Sequence, residues 1–202
     1  MNYKLTKEKK VNILGVELFR IKAIKTFKCG NITIKKGELG GWIEKKENLS
    51  GNAWVYGNAE VFGNARVYGN AMVYENAMVY ENAWVYGNAR VFENAWVYGN
   101  ARVFENAMVY ENAEMYGDAQ MFGNTQMFGN AEVFGNALVF ENAMVYEDTK
   151  VYRKARVYGD AEVYGKCKVK IKLCSRLNFE FQWQIDEWIK LEKSFEELND
   201  SD

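Results

Sequence analysis

The chain has 202 residues, 49 % of them hydrophobic and 26 % charged, the composition of a globular rather than a disordered protein. It contains no histidine and no proline. The first absence removes imidazole as general base or metal ligand; the second suits unbroken hydrogen-bonded strands, since each proline deletes a ladder donor. A net charge of −1 conceals an asymmetry: residues 1–51 carry a surplus of +7, residues 52–165 a deficit of −7, and the remainder is nearly balanced.

Residues 1–38 read as a basic β cap. Val11–Leu14 and Val16–Ile24 flank Gly15 as a short hairpin, and Asn31–Ile34 comes next as a further strand. Such a basic module can touch phosphates or an acidic partner, although a solvated lysine-rich surface is the simpler account. Leu39–Ile43 is expected to form a first, irregular coil that leads into the repeat.

From Asn52 to Gly165 one six-residue phrase, Asn-Ala-x-Val-Tyr/Phe-Gly/Glu, recurs nineteen times without insertion or deletion. Alanine and valine stand two apart and share one side of a strand; the variable residue and the aromatic share the other. Gly/Glu and then Asn make the corner. Three phrases close one triangular coil of eighteen residues, so the region at 39–173 is expected to be a β-helix of about six to seven coils, about 30 Å long in the repeat itself. One valine and one alanine per side fill so narrow an interior, which forces the aromatics outward. Met115, Met121 and Met127 replace valine through one turn and read as core variation.

Taking every third phrase gives the outer faces. The first carries Trp54, Met72, Arg90, Met108, Gln126 and Met144 beside Tyr56, Tyr74, Phe92, Tyr110, Phe128 and Tyr146. The second carries Glu60, Met78, Trp96, Glu114, Glu132 and Lys150; the third carries Arg66, Trp84, Arg102, Gln120, Leu138 and Arg156. Stacked aromatic neighbours stabilise every side. Only the first face is also apolar at most of its variable positions. A contiguous apolar patch of that size is expected to be an interface, with Trp54, Tyr56, Met72, Tyr74, Phe92, Met108, Tyr110, Phe128, Met144 and Tyr146 at a self-association or partner surface. Arginines on the third face are expected to lie over neighbouring rings as cation–π contacts rather than to bind nucleic acid. At one corner Glu75, Glu93 and Glu111 stack; solvated carboxylates explain them better than a calcium site.

Lys166–Leu173 alternates as a last strand, and Phe179, Phe181, Trp183 and Ile185 alternate as another. From Asp186 as N-cap, Trp188, Ile189, Leu191, Phe195 and Leu198 fall at helical spacing. Residues 174–202 are thus expected to end in an amphipathic helix that caps the open end or pairs with its copy. Cys29, Cys167 and Cys174 show no metal-ligand spacing and point to a reducing, cytoplasmic setting. No apolar run approaches the roughly 20 residues of a membrane span, and the start of the chain lacks the apolar core of a signal peptide.

The continued pattern Val61-Phe62-Gly63-Asn64-Ala65-Arg66 resembles the hexapeptide repeat of left-handed parallel β-helix proteins. The lead-in, Lys35-Lys36-Gly37-Glu38-Leu39-Gly40-Gly41-Trp42-Ile43-Glu44 closing with Asn48-Leu49-Ser50-Gly51-Asn52-Ala53, resembles the opening of bacterial and prophage hexapeptide-repeat proteins, often labelled putative transferases or polymer-forming proteins. The resemblance implies a left-handed coil and a phage or prophage origin. Acyltransferases of the wider family use a histidine as general base, and its zinc carbonic anhydrases use three; this chain offers none. The expected function is therefore a non-enzymatic, cofactor-free interaction protein. It binds a host protein or itself as a homodimer in the (host) cytoplasm, as an inhibitor of a host defence system would. A structural polymer and an acyltransferase are the alternatives.

Overall fold

In the computed structural model, residues 1–170, 172–174, 178–179, 182–188 and 190 are described. The repeat winds into a β-solenoid of about seven turns whose short strands form three parallel sheets. Strands stack in strict eighteen-residue register, as in Trp84↔Arg102 and Val85↔Val103. The Trp54 N–H reaches the Ala71 carbonyl at 3.1 Å and the Tyr56 N–H reaches Val73 at 2.9 Å, a pattern repeated down each side. Every residue at the valine position of the repeat, and every repeat alanine, is sealed inside. The layer of Met115, Met121 and Met127 is fully buried, as core variation requires. Thr125 and Thr149 stand at alanine positions, and their hydroxyls are buried with no hydrogen-bond partner.

Corners impose the sharpest local demand. Their glycines adopt positive φ, and Glu75, Glu81, Glu93, Glu105, Glu111, Glu141, Glu147 and Arg153 adopt it too. At Gly129 a Cβ would sit 2.6 Å from the Glu147 amide nitrogen, so the corner stacked above leaves no room. Three of these glutamates gain a contact at the corner: the Gly129 N–H donates to Glu111 Oε2 at 2.7 Å, and the Gly159 and Gly165 N–H groups donate to Glu141 and Glu147 at 2.8 Å. The asparagines next to these corners form ladders along the rod. Asn58 donates to Asn76, Asn76 to Asn94 and Asn94 to Asn112, each at 3.3 Å. All the donors point towards the carboxyl end of the rod. Aspartate, an acceptor only, receives the last donation in this ladder at Asp148 and in the other two at Asp118 and Asp160.

Two hairpins cap the start. β1 (Tyr3–Val11) pairs antiparallel with β2 (Glu17–Ala23). The first strand thus begins eight residues before the expected Val11 and ends there, because Asn12 Oδ1 accepts the Leu14 and Val16 N–H groups (3.0 and 2.9 Å) and turns the chain after Val11 out of the sheet. β3 (Phe27–Cys29) and β4 (Ile32–Ile34) pair across the two-residue turn Gly30-Asn31. β5 (Leu39–Ile43) pairs antiparallel with β2 and parallel with Glu60–Val61, so it converts hairpin into coil. Gly40 and Gly41 are needed at that junction: a Cβ would meet Val55 O at 2.6 Å and Ala59 O at 2.8 Å. Tyr3 ties the cap down, its hydroxyl 2.8 and 2.9 Å from the Lys46 and Leu49 carbonyls.

The far end departs from expectation. Lys166–Leu173 is not one strand: Lys168–Val169 extends one sheet and Lys172–Cys174 another. Cys167 and Val169 still point inward, so the six-residue frame runs one phrase further. The last coil is then two residues shorter, with Val157 paired to Leu173 and Val163 to Phe179. Trp183 and Ile185 lie in a helix at 182–188 rather than a strand, and Asp186 is inside it rather than at its start. The helix begins earlier because Gln182 replaces a further strand. Its Oε1 accepts the Lys168 N–H at 2.7 Å and its Nε2 reaches the Lys168 carbonyl at 3.4 Å. Ile185 is buried over the core and Trp188 packs beside it, in a capping position. Phe181, Ile189, Leu191, Phe195 and Leu198 lie outside the described residues.

These contacts set two expectations for stability. Gly129→Ala should lower stability by about 2–3 kcal/mol, from left-handed backbone strain plus the clash. Gly30→Ala, with open space around its Cβ, should lose roughly half as much. Chemical denaturation of both variants measures this. Thr125→Val replaces an unpartnered buried hydroxyl with an isosteric methyl and should raise stability by about 1–2 kcal/mol in the same assay.

Candidate interaction surfaces

The three aromatic columns stand outside the coil. Stacked pairs run down the first face from Tyr74–Phe92 (centroids 4.7 Å apart, 3° between planes) to Tyr146–Tyr164 (4.9 Å, 6°). Comparable columns run from Phe62 to Tyr152 and from Tyr68 to Tyr158. The eighteen-residue register causes the near-parallel stacking, because each ring sits directly over its equivalent. Tyrosine hydroxyls then reach the variable residue of the next coil: Tyr98 to Glu114 and Tyr116 to Glu132 at 3.3 Å, and Tyr110 to Gln126 at 3.1 Å. Lys150 closes the second face on Glu132 at 2.6 Å. Much of the polar decoration is therefore internal to the rod.

The first face is not the open patch expected from the sequence. Trp54 and Met72 are 0 % and 3 % exposed, because the β3–β4 hairpin lies across them. Phe27 meets the Trp54 ring edge-on at 5.6 Å, and the Cys29 thiol donates to the Asn70 carbonyl at 3.3 Å. Tyr56 turns edge-on to Trp54 and packs, like Tyr74, against the core cluster. Burial pushes the Cys29 thiol up to about 11, which keeps it a thiol. Phe92, Met108, Tyr110, Phe128, Met144 and Tyr146 remain half-buried below the hairpin.

The other hairpin bends over the second face. Leu18, Trp42, Phe62, Met78 and Tyr80 are buried together, with Val16, Trp96 and Tyr98 packed against them. Glu60 anchors this arrangement, paired with Lys10 at 2.8 Å and accepting from Asn12 at 3.1 Å. At the tip, Val11, Ile13 and Leu14 remain 65 %, 76 % and 53 % exposed. Sequence reasoning placed all three in a strand, which holds for Val11 but not for Ile13 and Leu14; beside Gly15, the signal it missed is Asn12, which opens the turn.

On the third face Arg66 and Arg102 lie 5.7 and 5.4 Å from the Trp84 ring, one coil to each side. The expected cation–π contacts thus form on tryptophan rather than on the Tyr/Phe column. Glu75, Glu93 and Glu111 do stack at successive corners. Among the described residues no three His, Cys, Asp or Glu side chains converge as a metal-binding group. No helix among those residues is long and apolar enough to cross a membrane. Two cavities flank the end of the β3–β4 hairpin, of about 360 Å³ on its asparagine side and about 520 Å³ on its tyrosine side.

A family described as the YdcK beta-solenoid repeat matches the chain at residues 59–75, 65–81, 83–99 and 95–111. The match agrees with the repeat β-solenoid built above. No curated protein matches the chain.

The tyrosine columns give a pH signature. Burial, reinforced by neighbouring glutamates, pushes Tyr80, Tyr116 and Tyr146 up to about 12, against an ordinary value of 10.0. A raised folded value means the neutral form is favoured, so this stability is complete below pH 10 and is lost as pH rises towards 12. Thermal midpoints should fall across that window, and tyrosinate absorbance of the native protein should rise later than that of the unfolded chain.

Proposed function

We propose that this chain is a non-catalytic interaction protein: a capped β-solenoid that docks on a protein partner through its N-terminal hairpin tip and the second-face aromatics beside it. The observation that carries the reading is the exposure of Val11, Ile13 and Leu14. Contiguous aliphatic residues at a surface are what partner interfaces use. The repeat aromatics, by contrast, already cover one another. Trp96 and Tyr98 pack against the buried cluster beneath this hairpin, and a partner surface with an apolar centre would complement the exposed Val11, Ile13 and Leu14.

The first face keeps a narrower role. Met108 and Met144, with Phe92, Tyr110, Phe128 and Tyr146, form the surface for homodimer formation below the β3–β4 hairpin. The sequence resemblance to prophage proteins supports a bacterial host protein as partner, in the host cytoplasm, with a defence complex as the attractive target. Caps at both ends argue against the filament-forming alternative, since an antiparallel edge strand bearing Lys4, Lys7, Lys9 and Lys10 blunts further strand addition. The absence of histidine argues against acyl transfer.

Affinity capture from bacterial lysate with the native chain and with an Ile13→Glu, Leu14→Glu variant tests the reading. The native chain should retain a specific protein that the variant loses, with unchanged circular dichroism; equal retention by both would defeat it. Light scattering of Met108→Glu, Met144→Glu addresses the dimer separately, with a halved mass as the expected result.

A further inference from the structure

Arg90 stands at a variable position of the first face, between Met72 and Met108 on the neighbouring strands. It is only partly exposed. Arg20 pairs with Glu8, whereas Arg66 and Arg102 flank Trp84. Among the described residues the Arg90 side chain has neither an ion pair nor a hydrogen bond; its backbone N–H serves the coil, donating to the Ala107 carbonyl at 3.0 Å. A partly desolvated guanidinium without a carboxylate is costly unless an anion completes it.

Its surroundings indicate what kind of anion. Arg90 lines both cavities at the end of the β3–β4 hairpin. On one side the walls are Gly30, Asn31, Met108 and the amides of Asn70, Asn88 and Asn106. Each of those three amides spends one hydrogen on the ladder, to Asn88, Asn106 and Asn124 respectively, and keeps a second. On the other side the walls are Ile32, Tyr56, Met72 and Tyr74, with Glu75 at the exposed rim. One side therefore offers a cation and amide donors. The other offers an apolar slot whose single acid repels an anionic head and so sets the ligand's direction.

We infer that Arg90 and the end of the β3–β4 hairpin form a binding site for an amphipathic monocarboxylate. The carboxylate lies on Arg90 and the asparagine amides, and the aliphatic tail lies between Ile32 and the Tyr56/Tyr74 wall. The apolar cavity, about 520 Å³, is within the usual range for small-ligand sites, roughly 300–1,000 Å³. This site is separate from the hairpin tip proposed for protein docking and stands or falls independently of it.

Calorimetric titration of the full chain with decanoate and with decanol is the test. Arg90→Met matches the side chains on both neighbouring strands, and Ile32→Asp changes a residue that is 42 % exposed, so both variants retain the fold. Decanoate should bind the native protein, weaken at least tenfold in each variant and weaken with added salt. Decanol should bind less well and ignore Arg90→Met. The inference is overturned if decanoate gives no saturable heat at millimolar concentration, if Arg90→Met binds it as the native chain does, or if decanol binds equally well.

Discussion

From Trp54 to Tyr152 the first N–H of each two-residue strand, and the N–H of the aromatic after it, are bonded to the carbonyl seventeen residues further on, and the rest of the structure depends on that closure. It holds only if every coil spends eighteen residues in the same way, because one extra residue would exchange the inner and outer sides of a strand. The interior enclosed by three such sides is narrow. Alanine and valine fill it, as at Ala89 and Val91, and a layer of methionine is the largest variation it admits. Everything bulkier is expelled to the surface, where the same register that aligns backbones also stacks rings and amides.

That expulsion explains why the surface is so ordered without being evidently functional. Rings at 4.7–5.2 Å spacing, asparagine ladders ending on Asp118, Asp148 and Asp160, and glutamates bonded to the next corner's N–H all serve the rod itself. A decorated column is therefore no indication of a partner. Departures from the column are more informative. Arg90 stands between two methionines and its side chain has no ion pair or hydrogen bond among the described residues, and the hairpin tip exposes aliphatic side chains that no ladder uses.

The caps turn a repeat into a particular protein. β1 and β2 continue one sheet in antiparallel sense and bend over Trp42, Phe62 and Met78, while β3 and β4 seal Trp54 and Met72. At the other end Gln182 satisfies the edge at Lys168, and Ile185 covers the core. Both operations remove apolar surface or unpaired backbone that the bare coil would present. They also decide which surface remains for anything else to touch.

From the sequence alone came the three-sided coil, the inward alanine and valine, the outward rings and the corners at Gly/Glu-Asn. Each arises from a six-residue frame whose causes are local: side-chain alternation, positive-φ tolerance and the volume of a narrow interior. The amphipathic reading of the first face failed at Trp54 and Met72 for the opposite reason. Phe27 meets Trp54 and Cys29 meets Asn70 across 27 and 41 residues, contacts between unlike segments that leave no period in the chain. The same holds for the end of the rod, where a corner two residues short and a glutamine bonded to Lys168 replace the expected strand. Local pattern determined how the chain coils. Only the tertiary structure decided which outer surfaces the caps cover, because that depends on burial between segments with no shared repeat.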